Sequence, residues 1–542
     1  MMAVTRSEIG EDRAWGAAAL LRGWLHYLVG RRPPDPLLLL LSLLVAAGCS
    51  LPVVYVIWGA LESDAGAWLN LLSGNVLRLL GRTLLLALGV TALAVSLGTS
   101  LAVLVHRTDL PARRIWAWLL AVPLAIPSYI GAMVYIMLLG PRSVLSADVY
   151  SYWGAVLILG FLTYPYAFLA SGAALKRMNP SLEEAARLQG LSPPAVLGQV
   201  SLPMILPAMA ASALLVALYV LSDFGAVAML RYSTFTTAIY YQTGSYDFSS
   251  ASILSVVLIL TSLSFLVSES LLSRRVRSHR MQAASFRPLL RLGRARKAAF
   301  LMVSAVFAVS AVIPAAALGY LTAVGLGGGI IRLGDLARYT GNSLIIAVSS
   351  ALLAVVLALP VAYLGSRYPS PLVKLFEKLG HSAYSLPGVI VALGILFALN
   401  RLAPSLYNSP VAIAVAHTIL FFPLALRGVK SSLSLVSPAL DEGIRLLGFS
   451  PRYVLFRVIT PLASPGLLAG FVLVLVSSLK ELPATLLLRP AGFDTLALRI
   501  WMESSEGYYY LASPYALVIL LAALVPLKLI LDTSHQKPEG GA

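Results

Sequence analysis

The sequence predicts an all-α integral membrane protein of about twelve transmembrane helices, arranged as two tandem six-helix units with both termini cytoplasmic. Three observations lead there. The 542 residues are 59% hydrophobic and only 12% charged, with a mean hydropathy of +0.85, a composition that soluble globular domains do not have. Apolar runs of roughly 20 residues, enough helix to cross a hydrocarbon core of about 30 Å, recur along nearly the whole chain. The second half of the chain also repeats the pattern of the first.

The expected spans lie near 36–60, 83–105, 115–140, 152–174, 207–230 and 250–272, then 299–323, 343–365, 382–400, 410–428, 466–488 and 512–531. Residues 1–35 carry Glu8, Glu11, Asp12 and five arginines ahead of the first apolar run. That run therefore reads as an anchor rather than a cleaved signal peptide. Most of the 40 Lys and Arg residues fall in alternate loops on the N-terminal side, which places both termini in the cytoplasm. The net charge of +17 is thus a topological signal, and no nucleic-acid partner is needed to explain it. Nine basic residues and no acidic one lie in 273–298, a cytoplasmic linker suited to anionic lipid headgroups. A short tail, 533–542, follows the last span. Cys49 is the only cysteine, which excludes an internal disulfide and a cysteine-based metal site.

The two halves, 36–272 and 299–532, match without outside alignment. The stretch from Gly81 to Arg107 answers that from Gly341 to Arg367. Pro127 answers Pro387, and Pro165 answers Pro423. From there the register is unbroken through Leu182–Pro193 against Leu440–Pro451, as far as Asp223 against Glu481. Six spans per unit make these parallel repeats, related by an axis along the membrane normal. Prolines within spans (Pro123, Pro127, Pro165, Pro387, Pro423 and Pro483) free backbone groups that only protein or a water-lined cavity satisfies; ordinary kinks of packed helices explain them equally well.

Between the fourth and fifth spans the sequence specifies a rigid loop. Asn179 caps a helix with Pro180 at its first position, and Glu183 and Glu184 follow where the helix dipole favours negative charge. Ala185 and Ala186 extend it, Gly190 stops it, and Ser192-Pro193 starts another helix. The second copy uses Ser437-Pro438, Asp441-Glu442, Gly448 and Ser450-Pro451. A cytoplasmic loop that encodes the same corner twice suggests a docking surface for a two-fold-related partner. An amphipathic helix lying on the membrane is the alternative.

The string EEAARLQGLSPPAVLGQVSLPMILP, from Glu183 through Pro207, resembles the EAA motif of ABC importer permeases, and its position before the penultimate span matches as well. The second copy departs from it: Gly443 and Ile444 replace the alanines, and Thr460 precedes Pro461. The resemblance implies that Glu183, Glu184, Ala185, Gly190 and Pro203, with Asp441, Glu442, Gly448 and Pro461, build coupling helices that dock into ATPase subunits. Permease cores at about 77–272 and 337–532 follow from the same resemblance, as do a bacterial inner-membrane location, two cytoplasmic ATPase subunits and an extracytoplasmic binding protein. No G-x-x-x-x-G-K-[ST] phosphate loop occurs, so hydrolysis is expected on another polypeptide. No cofactor is expected in this chain.

Within that family, the fused layout and the strings SDFGAVAML and KELPATLLL resemble ferric-iron permeases, with thiamine permeases next. Asp223 and Glu481 stand at equivalent positions near the ends of their expected spans, and an intramembrane carboxylate is a functional-site candidate by default. They are expected either to attract a cation or to cap nearby backbone, with Lys480 beside Glu481 as a partner. His417, inside the tenth span, is either an interhelical hydrogen-bonding group or a ligand. Tyr240, Tyr241 and Tyr246, with Tyr508, Tyr509 and Tyr510, suit an external aromatic belt. A proton-coupled carrier with parallel halves is the rival class, and the paired loops argue against it.

Overall fold

The computed structural model describes residues 34–72, 75–141, 143, 147–275, 290–382 and 386–533. The expected N-terminal segment up to 33, the linker residues 276–289 (with Arg277, Arg280 and Arg287) and the tail from 534 lie outside the described residues. Among the described residues the regular elements are helical, apart from one isolated parallel bridge between Thr108 and Leu290. Eight helices among the described residues are long and apolar enough to cross a membrane, or ten if each of two bent pairs is one span.

In the first half, α1 (Pro36–Leu61) begins at Asp35, whose Oδ1 accepts from the Leu37 amide at 2.9 Å. α2 (Asn75–Arg107) is followed by α3 (Arg113–Leu119), a 3₁₀ turn at Val122–Ala125 and α4 (Ser128–Leu139). The chain bends by 90° ahead of α4. Pro127 sits at that elbow with φ −57° and ψ 143°, and it forces Ile126 before it out of the helical region. α5 (Tyr152–Arg177), α6 (Pro180–Leu188), α7 (Leu202–Ser222), α8 (Gly225–Met229), α9 (Phe235–Gly244) and α10 (Phe248–Arg275) complete this half.

The second half repeats the series as α11 (Arg296–Phe307), α12 (Ile313–Gly327), α13 (Leu333–Arg367), α14 (Gly388–Leu402), α15 (Pro410–Leu433), α16 (Pro438–Leu446), α17 (Ser464–Leu479), α18 (Pro483–Leu488), α19 (Leu496–Ser505) and α20 (Tyr509–Thr533). Pro387 makes the same elbow before α14, at φ −56° and ψ 141°. The spans expected at 207–230 and 466–488 end earlier, at Ser222 and Leu479, because the chain breaks at the following carboxylates. Asp223 and Glu481 are therefore helix-end residues rather than mid-helix charges.

The described residues form two compact units, each drawing on both halves of the sequence. One contains the described parts of Met1–Val54, Ile346–Tyr384 and Ala414–Ser478. Its core sets Leu38, Val45 and Cys49 of α1 against Ala351, Val355 and Ala358 of α13 and against Phe422 and Leu426 of α15. Gly466 and Gly470 allow the closest approach: a Cβ on Gly428 would stand 2.8 Å from the Gly466 carbonyl, the small-residue contact that lets apolar helices pack backbone to backbone. The other unit contains the described parts of Tyr55–Ile345, Ser385–Ile413 and Leu479–Ala542. Here α2 and α5 meet at Gly98, where a Cβ would lie 2.5 Å from the Tyr164 carbonyl. α11 belongs to the second half of the sequence, yet Phe300 and Phe307 pack edge-on against Trp116 of α3, at 5.7 and 5.9 Å.

Candidate functional site

The first loop has the corner its sequence specifies. Asn179 accepts from the Ser181 amide at 3.0 Å, Pro180 opens α6, and Gly190 turns the chain at φ +89°, a conformation only glycine adopts without strain. The two acidic residues then part ways. Glu184 is exposed with Ala185, whereas Glu183 is buried at 6% exposure. Ser201 donates to Glu183 Oε1 at 2.7 Å, and Arg107 Nε stands 3.0 Å from the same oxygen. That Nε has no hydrogen-bond partner among the described residues, so the pairing is ionic contact off the N–H axis. Arg107 also donates through Nη2 to the Leu175 carbonyl at 2.7 Å, tying the end of α2 to the last turn of α5.

The second loop has the same plan with different parts. Ser437 accepts from the Ala439 amide at 3.3 Å, and Gly448 turns at φ +91°. Asp441 is buried at 3% and Glu442 is exposed. Arg367 Nε lies 3.7 Å from Asp441 Oδ2, and Nη2 donates to the Val436 carbonyl at 2.7 Å. Ile459 occupies the register position of Ser201 and offers no hydroxyl. Instead Tyr363, on α13, donates to Asp441 with its hydroxyl 3.0 and 3.1 Å from the two carboxylate oxygens. The shorter acid is met by a longer donor.

Buried acids leave leucines as the outer surface of both corners. Leu182 and Leu188 are 45% and 90% exposed, and their register partners Leu440 and Leu446 are 41% and 88% exposed. Each loop re-enters its span through a π-helical turn, at Leu197–Ser201 and Val454–Ile459. The exposed Pro203 and Pro461 stand just beyond these turns, where a missing N–H and the ring disrupt the regular ladder.

The second candidate constellation lies at the far ends of α7 and α17. Asp223 Oδ1 accepts from the Ala226 and Val227 amides at 3.1 and 3.3 Å, Ser128 also hydrogen-bonds this carboxylate, and Thr236 donates to the Asp223 carbonyl at 2.6 Å. Glu481 receives the Ala484 amide on Oε1 at 2.9 Å and the Thr485 amide on Oε2 at 3.0 Å. Both acids thus cap the short helices α8 and α18. Gly388 holds the register position of Ser128, and a Cβ there would come within 2.6 Å of Glu481 Oε1. The longer acid is paired with the smaller residue. Tyr129 is buried nearby, and its Cβ would lie 2.7 Å from a Cβ added at Gly225. The next helices are also tied alike: Phe235 N donates to Thr83 Oγ1 and Leu496 N to Ser343 Oγ.

The remaining expectations resolve individually. Lys480 Nζ donates to the Leu124 carbonyl at 3.3 Å. His417 is buried in α15, and its Nδ1 is 2.7 Å from Ser478 Oγ, the interhelical hydrogen bond expected of a lone intramembrane histidine. Among the described residues no three His, Cys, Asp or Glu side chains group to hold a metal ion. Tyr241, Tyr246 and Tyr508 are exposed. Sequence reasoning missed Arg107, Arg367, Ser201 and Tyr363, which hold the loops, and the outward leucines. The arginines leave a trace, since each ends the second span of its half in the same repeat register, but that trace does not name the acids they meet.

The family model described as "Binding-protein-dependent transport system inner membrane component" matches residues 94–278 and again 362–536. Fe(3+)-transport system permease protein FbpB 2 of Haemophilus influenzae is 33% identical over 509 residues, covering 92% of this chain and 98% of its own length. Ferric transport system permease protein FbpB of Actinobacillus pleuropneumoniae is 24% identical over 439 residues, 74% of this chain and 64% of that one. Putative 2-aminoethylphosphonate transport system permease protein PhnV of Salmonella typhimurium is 31% identical over 143 residues, 26% of this chain and 53% of its own.

Proposed function

The chain belongs to the binding-protein-dependent transport system inner membrane components, the permeases of ABC importers, and on that premise we propose that its cargo is ferric iron. The observation that carries the cargo is the 33% identity to an Fe(3+)-transport permease across 98% of that protein. The chain is a multi-pass inner-membrane transport subunit, working with an ATPase and a binding protein.

Eight long apolar helices, two bent pairs and two shorter apolar helices, Gly388–Leu402 and Tyr509–Leu524, together support twelve spans in two six-helix units with both termini inside. Two matches to the family model support the same layout. α6 and α16 are the docking helices for two ATPase subunits. Glu183 and Asp441 hold each helix on its own half, while Leu188 and Leu446 with the neighbouring Glu184, Ala185 and Glu442 face the ATPase. Asp223 and Glu481 line the pathway as carboxylates whose caps open when cargo passes; Lys480 and His417 hold the surrounding backbone and helices.

Reconstitution with the cognate ATPase tests the cargo. Ferric-loaded binding protein is expected to stimulate ATP hydrolysis, and stimulation by thiamine-loaded but not ferric-loaded protein overturns the assignment. Docking is tested by Leu188→Asp and Leu446→Asp. Each is expected to weaken ATPase association by about 2 kcal/mol, roughly thirtyfold, as loss of an interface anchor does, without unfolding a side chain that is already exposed.

A further inference from the structure

The chain entering each half's first span touches the docking loop of the other half. Ahead of α11, Leu290 N donates to the Arg107 carbonyl at 3.0 Å, and Leu292 N donates to Asp109 Oδ1 at 2.8 Å. Leu290 also pairs with Thr108 in the one isolated bridge. Its side chain packs on the patch of Ala186 and Val196, with Leu191, Leu197 and Val200 around it. This contact lies on both sides of the first corner, and its hydrogen bonds fall on and beside Arg107, the residue that anchors Glu183. Ahead of α1, Asp35 Oδ2 is 2.9 Å from Arg452 Nε, in the turn just past Gly448. Asp35 simultaneously caps α1 through Oδ1.

We propose that Leu290–Leu292 and Asp35 are crossed straps, positioning residues that tie each docking loop to the first span of the opposite half. This rests on the reading of α6 and α16 as docking helices. Each strap continues directly into a helix that packs on the same unit as the loop it holds. α11 runs on past Trp116, and Tyr164 meets Ser310 beyond it at 3.4 Å; α1 packs on α13 and α15. Displacing a first span therefore changes the pitch of the docking loop that its strap holds.

The straps differ in chemistry. The first uses one backbone hydrogen bond, a half-buried leucine and a neutral amide donating to the Asp109 carboxylate; none of these is an ion pair, so salt screens it little. The second is an ion pair whose Arg452 side chain is 51% exposed, and a pair of that kind weakens as ionic strength rises.

The test uses the complete importer in lipid nanodiscs, with hydrogen exchange followed at 180–197 and at 438–453 together with cargo moved per ATP hydrolysed. Leu290→Ala combined with Asp109→Ala is expected to speed exchange at 180–197 about tenfold, the effect of losing one charge-assisted hydrogen bond and part of a leucine's burial. Exchange at 438–453 stays unchanged, the ATPase stays bound, and transport per ATP falls severalfold. Asp35→Asn produces the mirror result. In the unmodified chain, raising salt speeds exchange at 438–453 only. The proposal is overturned by unchanged exchange at 180–197, by equal acceleration at both loops, by local acceleration with transport per ATP intact, or by a salt response shared by both loops. Failure of the docking reading is separately visible, since Leu188→Asp would then leave the ATPase bound.

Discussion

Replacing Glu183 by alanine should destabilise the protein far more than its place in an exposed loop suggests. At 3.0 Å and an effective dielectric constant of about 20, the pairing with Arg107 is worth roughly 5.5 kcal/mol of Coulomb energy. Most of that offsets the cost of removing two charges from water, and the offset vanishes for one partner only when the acid is cut away. Among the described residues Arg107, whose side chain is 8% exposed, then keeps just the Leu175 carbonyl. Breaking such buried pairs costs about 3–5 kcal/mol, and the contact off the N–H axis points to the lower end. The Arg367–Asp441 pair, at 3.7 Å, gives about 4.5 kcal/mol on the same scale, so Asp441→Ala is expected to cost about 1 kcal/mol less. Equilibrium unfolding in mixed micelles reads both. Arg107→Met with Glu183→Leu should recover much of the loss, because apolar replacement of a buried pair is close to neutral. A Glu183→Ala protein within about 0.5 kcal/mol of wild type, the scatter of ordinary surface substitutions, or a double variant no better than the single one, would refute the reasoning.

Gly190→Ala and Gly448→Ala are expected to cost about 1–2 kcal/mol each, and equally, since both sites have φ near +90° and open space where a Cβ would go; thermal unfolding of the two variants checks this. Replacing Asp223 by Asn and Glu481 by Gln preserves an oxygen for the capped amides but removes the charge. Helicity and stability should change by less than about 1 kcal/mol while iron uptake falls, and uptake at the wild-type rate would remove these residues from the pathway. Burial pushes the Asp35 carboxyl up, but the Arg452 and Leu37 hydrogen bonds outweigh it and hold the group below its ordinary 3.8. A depressed acid contributes stability above its unfolded value and loses it as pH falls through the folded one. Exchange at 438–453 should therefore be flat with respect to this group from pH 8 to 5 and accelerate only in acid below about 3.9.

What was legible in the sequence was local. Asn179-Pro180 and Ser437-Pro438 announce helix starts within three residues, and Gly190 and Gly448 announce the stops, so the corner was readable down to its turning residue. The partner of Glu183 was not. Arg107 lies on another helix, and an arginine at the end of a span already has a sufficient explanation in the charge rule for membrane loops. The acids of the second constellation were half legible. Asp223-Phe-Gly225 and Glu481-Leu-Pro483 carry a cap followed by a helix-starting residue, yet hydropathy ran straight across both breaks and extended the spans to 230 and 488. Hydropathy measures water avoidance averaged over a window, and a capped break satisfied inside the protein leaves that average unchanged. The crossing of α1 and α11 onto the opposite halves left no trace, because lipid-facing and protein-facing leucines read alike in a span.

The two halves hold near-identical corners with different connections, and this bears on how the proposed docking helices act. In the first half Ser201 immediately precedes α7 and holds Glu183, while Asp223 immediately follows α7 and caps α8. The 21 residues of α7 span about 30 Å, so one rigid helix runs from the docking corner to the capped turn beside the Pro127 elbow. In the second half Ile459 breaks that chain of hydrogen bonds, and the helix pair on either side of Ala463 is bent by 76°. The buried acid is gripped from α13 instead, by Tyr363 and Arg367 within two turns of that helix's end. Arg107 grips Glu183 from the second span just as Arg367 grips Asp441, so on the docking role proposed above a push on α6 reaches both the second and, through Ser201, the fifth span of its half, whereas a push on α16 reaches the second. Near-identical corners with unlike attachments are what a fused chain permits: once two halves no longer have to be copies of one subunit, each is free to tie its loop to a different set of helices.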